Sequence, residues 1–125
     1  MSYSGMKFLV IEDNLLDVEL LKAVLVKGGT DFELVHACTL QEGINFAKGS
    51  TYDAVLLDLG LPDAWGVRAI RKFRAAEPCL PLLVLSGVVT PERRAEAIAA
   101  GANGCLMKGE FECKELLQAL GVAGS

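Results

Sequence analysis

The chain has 125 residues, 52% of them hydrophobic and 22% charged, with a formal net charge of −4. That length fits one domain with a real core, and the acidic balance lacks the basic footprint of a nucleic-acid binder. The densest basic group, Arg68, Arg71, Lys72 and Arg74, reads as a solvated helix face, and no apolar run approaches the ~20 residues that span a bilayer. The opening MSYSG has no signal-peptide character, so residues 1–5 are expected to form a disordered start. Cys38, Cys79, Cys105 and Cys113 make no CxxC pair, and His36 is the single histidine. Those facts exclude a recognisable zinc site or disulfide framework. Free thiols point to a reducing compartment, the cytoplasm.

In chain order, the first strand is expected at Lys7–Ile11 and ends in Glu12-Asp13. The first helix opens near Asn14, places Val18, Leu21 and Leu25 on one face and closes at Gly28-Gly29. A second strand follows at Phe32–His36, where His36 reads as a structural histidine. The second helix starts with Thr39-Leu-Gln-Glu42, a capping box in which Thr39 and Glu42 satisfy each other's backbone donors. The third strand, Ala54–Leu57, runs straight into Asp58 of LLDLGLPD, and Asp63, after Pro62, reads as a helix cap. A third helix covers Ala64–Ala76 with Val67, Ile70 and Phe73 facing the core. The fourth strand, Leu82–Leu85, ends in Ser86; its helix has Thr90 as cap, Pro91 at the first position and Gly101 past the end. The fifth strand, Cys105–Met107, ends in Lys108, and the fifth helix carries Cys113, Leu116, Leu117 and Leu120 on one face.

Continuous apolar strands are those of a parallel sheet buried on both faces, and strict strand–helix alternation covers both faces with helices. Right-handed crossovers align the strand carboxyl ends on one edge, where such sheets bind ligands. Glu12, Asp13, Asp58, Ser86 and Lys108 all fall on that edge. Singly, Asp13 reads as well as a helix cap, Ser86 as a turn residue and Lys108 as a solvent-facing lysine. Together, three carboxylates resist ionising side by side unless a cation joins them. A hard divalent ion with retained waters, magnesium, suits such a set. An ammonium and a hydroxyl beside it make a site for a small tetrahedral anion.

The set Glu12-Asp13, Asp58 in LLDLGLPD, Ser86 in LSG and Lys108 in LMKG resembles, in order and spacing, the receiver domain of two-component response regulators. The resemblance covers nearly the whole chain. It implies a flavodoxin-like, doubly wound α/β fold: a five-stranded parallel sheet of order 2-1-3-4-5 with five helices, one receiver domain over residues 1–125. It also implies that Asp58 accepts a phosphoryl group from a sensor histidine kinase or a histidine phosphotransfer protein. Mg2+ would be held by Asp13, Asp58 and the carbonyl of Gly60, with Glu12 acting through metal-bound water. Lys108 would pair with the phosphoryl group, and Ser86 would move to hydrogen-bond it. The partner face implied is that of the fourth helix, fifth strand and fifth helix. Such a chain is a switch and not a turnover enzyme. Its target protein or fused output domain is unnamed, it touches neither nucleic acid nor membrane, and it is a monomer or weak dimer.

Three differences, at four positions, set the chain apart from the family pattern. Gly109 stands where proline usually follows the lysine, and Cys105 stands where Tyr or Phe is common. Gly60 and Val88, two residues past Asp58 and Ser86, offer no acid or amide to orient a hydrolytic water. The expectations are switching through the backbone of the Ser86–Thr90 loop and fourth helix, and a long-lived phosphoryl group. The alternatives are a degenerate receiver serving as an interaction module, a haloacid-dehalogenase-type phosphatase and a flavodoxin-like cofactor binder. The phosphatase wants a second Asp where Gly60 stands. The cofactor binder wants a Ser/Thr/Gly-rich loop where Glu12-Asp13 stands.

Overall fold

Period-two side-chain alternation explains how one sheet builds two cores. A computed structural model describes residues 5–29 and 31–119. Its strands are β1 (Met6–Ile11), β2 (Phe32–Ala37), β3 (Ala54–Asp58), β4 (Leu82–Ser86) and β5 (Gly104–Met107). They form a wholly parallel sheet in the order β2-β1-β3-β4-β5. The helices are α1 (Leu15–Lys27), α2 (Leu40–Gly49), α3 (Val67–Ala76), α4 (Pro91–Ala100) and α5 (Cys113–Ala119). On one face Leu9, Ile11, Val55, Leu57, Leu82 and Val84 pack with Ile44 of α2, Ile70 and Phe73 of α3 and Ala97 of α4. On the other, Phe8, Val10, Leu56, Leu83 and Leu85 pack with Val18, Leu21 and Leu25 of α1 and Leu116 and Leu117 of α5. The fold class, strand order and helix count agree with the expectation.

Strands reach slightly further than the apolar runs. Asp58 and Ser86 are the last residues of β3 and β4, and the ladder pairs them with Leu85 and Met107. Both side chains are thus projected from rigid backbone. α3 begins at Val67 and not at Ala64. An isolated bridge joins Gly60 to Trp65, Gly66 N–H donates to the Leu59 carbonyl at 2.8 Å, and Gly66 adopts φ 64°. That positive φ suits glycine and closes a loop where the helix was expected to start.

Three polar readings need correction. Thr39 Oγ1 accepts from Glu42 N–H at 3.1 Å, but the Glu42 carboxylate accepts from Cys38 N–H at 2.7 Å, one residue before the reciprocal bond of a capping box. Asp63 is a helix cap, but of α2: its two oxygens accept from Leu40 N–H at 2.8 Å and Gln41 N–H at 3.0 Å. Arg74 is no part of a solvated face, although Arg68, Arg71 and Lys72 are exposed. Its guanidinium donates to the carbonyls of Gly101 at 2.7 Å, Glu77 at 3.1 Å and Leu80 at 2.6 Å and to Asn103 Oδ1 at 2.9 Å. Gly5 lies in a turn; residues 1–4 of the expected disordered start, and Leu120, lie outside the described residues.

Candidate functional site

β1 delivers Glu12 to the carboxyl edge with its backbone fixed on two sides. Glu12 N–H donates to the Ala37 carbonyl at 2.9 Å, and the His36 Nε2–H donates to the Glu12 carbonyl, which bears out the structural reading of His36. Next, Asn14 caps α1 by accepting from Leu16 N–H at 2.9 Å and Asp17 N–H at 3.3 Å. Capping therefore falls to Asn14, and Asp13 stays exposed with its carboxylate uncommitted to the helix. Asp58 is 5% exposed, and its Oδ2 accepts from Gly60 N–H at 3.1 Å. One oxygen each of Glu12, Asp13 and Asp58 lies within 4.8 Å of the others.

β5 brings the cation. Lys108 N–H donates to the Ser86 carbonyl at 2.9 Å, which holds the lysine beside β4. Its Nζ lies 2.7 Å from Asp58 Oδ1, 2.8 Å from Glu12 Oε1 and 2.8 Å from Asp17 Oδ2. Burial alone would lower the Lys108 pKa, but Asp17, Asp58 and Glu12 outweigh it and hold the ammonium above its ordinary range. The stability gained from that pairing is complete below the unfolded pKa and fades only as pH climbs through the raised one.

Glu12 is the discordant member. Burial is the main cause that pushes its carboxyl up to about 7, Asp58 adds repulsion, and Lys108 and Asn14 N–H offset this only in part. Glu12 Oε1 is fully buried and meets the Lys108 ammonium at ion-pair distance, without a hydrogen bond of regular geometry. Buried oxygens are rarely left so. An excess of hard oxygen donors over the single ammonium they share fits a divalent cation. Such an ion would lie against Glu12, Asp13 and Asp58.

Of the residues expected here, Glu12, Asp13, Asp58 and Lys108 converge. Ser86 sits on the same edge, but its hydroxyl donates to the Val88 carbonyl at 2.9 Å and accepts from Val88 N–H at 3.3 Å. Gly60 is tied to the site through its N–H and to Trp65 by the bridge. The residue missed is Asp17. An acid in a first helical turn ordinarily reads as a complement to the helix dipole. Nothing local sets Asp17 apart from such a complement; only the tertiary fold brings Lys108 to it.

A doubly wound parallel sheet with clustered acids and an ammonium at its switch edge defines an α/β domain with a candidate cation site. The chain belongs to the response regulator receiver domain family, whose model matches residues 8–121. It is 37% identical over 112 residues to the probable transcriptional regulatory protein SilR of Salmonella typhimurium, a match covering 90% of this chain and 48% of SilR. The chain thus spans about half the length of the curated relatives it matches. Among solved structures it is similar to the receiver domain of the sensor histidine kinase PA1611 of Pseudomonas aeruginosa, which has magnesium coordinated in its active site cleft. That match has 28% identity, a TM-score of 0.75 and coverage of 94% of this chain and 95% of the other. The Francisella response regulator 1452 receiver domain shares the fold at a TM-score of 0.78 and 20% identity, over 94% of this chain and 95% of that one. No helix among the described residues is long and apolar enough to cross a membrane.

Proposed function

We propose that this chain is a phospho-accepting receiver of a two-component or phosphorelay system, with Asp58 as the acceptor. The observation that carries the reading is the nearly buried Asp58 carboxylate, 2.7 Å from Lys108 Nζ, within an acid cluster whose buried Glu12 oxygen has no hydrogen bond of regular geometry. The donor is the phosphohistidine of a sensor histidine kinase or histidine phosphotransfer protein. An Asp58 oxygen forms a bond to phosphorus as the P–N bond breaks, and the imidazole leaves with the electron pair and takes a proton. Asp13, Asp58 and the Gly60 carbonyl would hold Mg2+, with Glu12 acting through water, and the bound ion would supply neutralising charge at the transferring oxygens. Lys108 steadies one phosphoryl oxygen and gives the catalysis its fixed electrostatic component.

Ser86 carries the response. To donate to a phosphoryl oxygen, its hydroxyl must leave Val88, and that release frees the Ser86–Thr90 loop. Thr90 caps α4 by accepting from Arg93 N–H at 3.1 Å, so loop movement is passed to the helix. Cys105 borders a cavity of about 240 Å³ with Val89, Arg94 and Phe111. Backbone movement of the loop and α4, and not a turning ring, changes the face formed by α4, β5 and α5. Gly60 and Val88 leave the hydrolytic water unoriented, so the acyl phosphate is long-lived. The protein works in the cytoplasm as a monomer or weak dimer, residues 1–125 being one receiver unit. Its target is a separate protein or an attached output domain.

A second reading, the degenerate receiver, is favoured by Gly109, Cys105 and the locally bonded Ser86 hydroxyl. One experiment separates the two: incubation with acetyl phosphate and Mg2+, followed by intact mass. The phospho-accepting reading expects wild type to gain one phosphoryl group and Asp58→Asn to gain none. Failure of wild type to gain it leaves the interaction module.

A further inference from the structure

A lysine ammonium has three N–H donors and no acceptor. Three carboxylates converge on Lys108 here, those of Asp58, Glu12 and Asp17. Glu12 and Asp58 belong to the cluster that could hold a cation; Asp17 does not. It approaches from α1, and its Oδ2 accepts a hydrogen bond from Nζ. The Asp17 side chain is 24% exposed. With Leu20, Leu21, Leu85 and Phe111 it lines a cavity of about 200 Å³ that also reaches Lys108. It has room to turn away from the ammonium without displacing the helix.

We propose that Asp17 competes with the phosphoryl group for Lys108, a positioning residue that restrains phosphorylation of Asp58. The inference rests on the receiver reading. A phosphoryl group on Asp58 brings close to two negative charges and oxygens that need donors. Each N–H that Lys108 directs at Asp17 is withheld from those oxygens. The Asp17 charge also repels an anionic phosphodonor as it approaches. Both effects have one sign, so the resting pair holds the site back until the incoming group outcompetes a carboxylate. Because Asp17 lies outside the acid cluster, neutralising it changes Mg2+ affinity far less than Asp13→Asn does.

The test is single-turnover phosphorylation of the full chain by acetyl phosphate at saturating Mg2+, read by intact mass. Wild type, Asp17→Asn and Asp17→Glu are compared, each also in a Lys108→Ala background. Asp17→Asn is expected to react about fivefold faster, the order set by releasing one partly exposed ion pair. Asp17→Glu, which keeps the charge, stays near wild type. The acceleration should be lost without Lys108, as coupling through that amine requires. Where Lys108→Ala abolishes transfer outright, the contrast of Asn with Glu decides alone. An Asp17→Asn chain no faster than a reactive wild type overturns this inference and leaves the receiver reading intact. Equal acceleration with and without Lys108 overturns it too. Uptake by neither chain overturns both.

Discussion

Two polar nodes sit at opposite ends of the same sheet, one around Arg74 and one around Lys108. Each puts a single cation among oxygens, and they are built to opposite standards. Arg74 has four oxygen partners, drawn from the end of α3, the turn after α4 and the segments leading into β4 and β5. Asn103 Oδ1 completes that node by accepting from Leu82 N–H at 2.8 Å as well. Lys108 instead meets three carboxylates, with Asp13 as a fourth acid close by, and Glu12 keeps a buried oxygen without a hydrogen bond of regular geometry. The first node is satisfied and holds elements together. The second is left discordant, as sites often are where function overrides local stability.

Breaking the satisfied node has the largest expected effect on stability. Arg74→Ala strands three carbonyls and should cost about 2–4 kcal/mol in chemical denaturation. Arg74→Lys should recover only part of that, because an ammonium cannot reproduce the planar fork. Equal stability of Arg74→Ala and wild type would show that water replaces the clamp. Relieving the discordant node should do the reverse. Without divalent cations, Asp13→Asn should stabilise the chain by about 0.5–1 kcal/mol, since it removes one like charge from the crowd. Thermal unfolding in EDTA checks this, and a destabilised variant would mean that Asp13 supports the fold.

How much of each node could be read in the sequence follows from the reach of its contacts. Strand ends marked by Asp58, Ser86 and Lys108 were legible because unbroken apolar runs stop at them. Topology then brings those ends to one edge. The partners of Arg74 and Asp63 were not. Helix periodicity places Arg74 among solvated neighbours, and only the tertiary fold brings Gly101 and Leu80 to its guanidinium. Asp63 has the chemistry of a cap, but its helix begins 23 residues earlier in the chain. Asp17 was hidden by a local role adequate to explain it.

A smaller effect, about 1 kcal/mol, is expected for Asp63→Asn, which weakens the cap of α2. Burial would raise the Asp63 pKa, but backbone N–H groups of Leu40, Gln41 and Asp63 itself outweigh it and hold it below 3.8. A lowered folded pKa stabilises above the unfolded value and loses that contribution as pH falls through the folded one. The gap between wild type and Asp63→Asn should therefore be constant near neutral pH and shrink only below 3.8, as denaturation across pH would show. A gap that grew on acidification would reverse the assignment. Smallest of all is Phe111→Leu, expected to leave phosphorylation-induced shifts in the NMR spectrum of α4 nearly unchanged. Loss of those shifts would make that ring the transmitter.

The central claim is that the acids around Lys108 are completed by a divalent ion. Thermal unfolding of wild type at neutral pH, with and without millimolar Mg2+, tests it most directly, alongside Asp13→Asn. Binding to the folded state alone stabilises by about 1.4 kcal/mol at ten times the dissociation constant. Wild type is predicted to gain stability of that order, and Asp13→Asn to gain much less at the same concentration. An unmoved wild type, or the same gain in both chains, would contradict it.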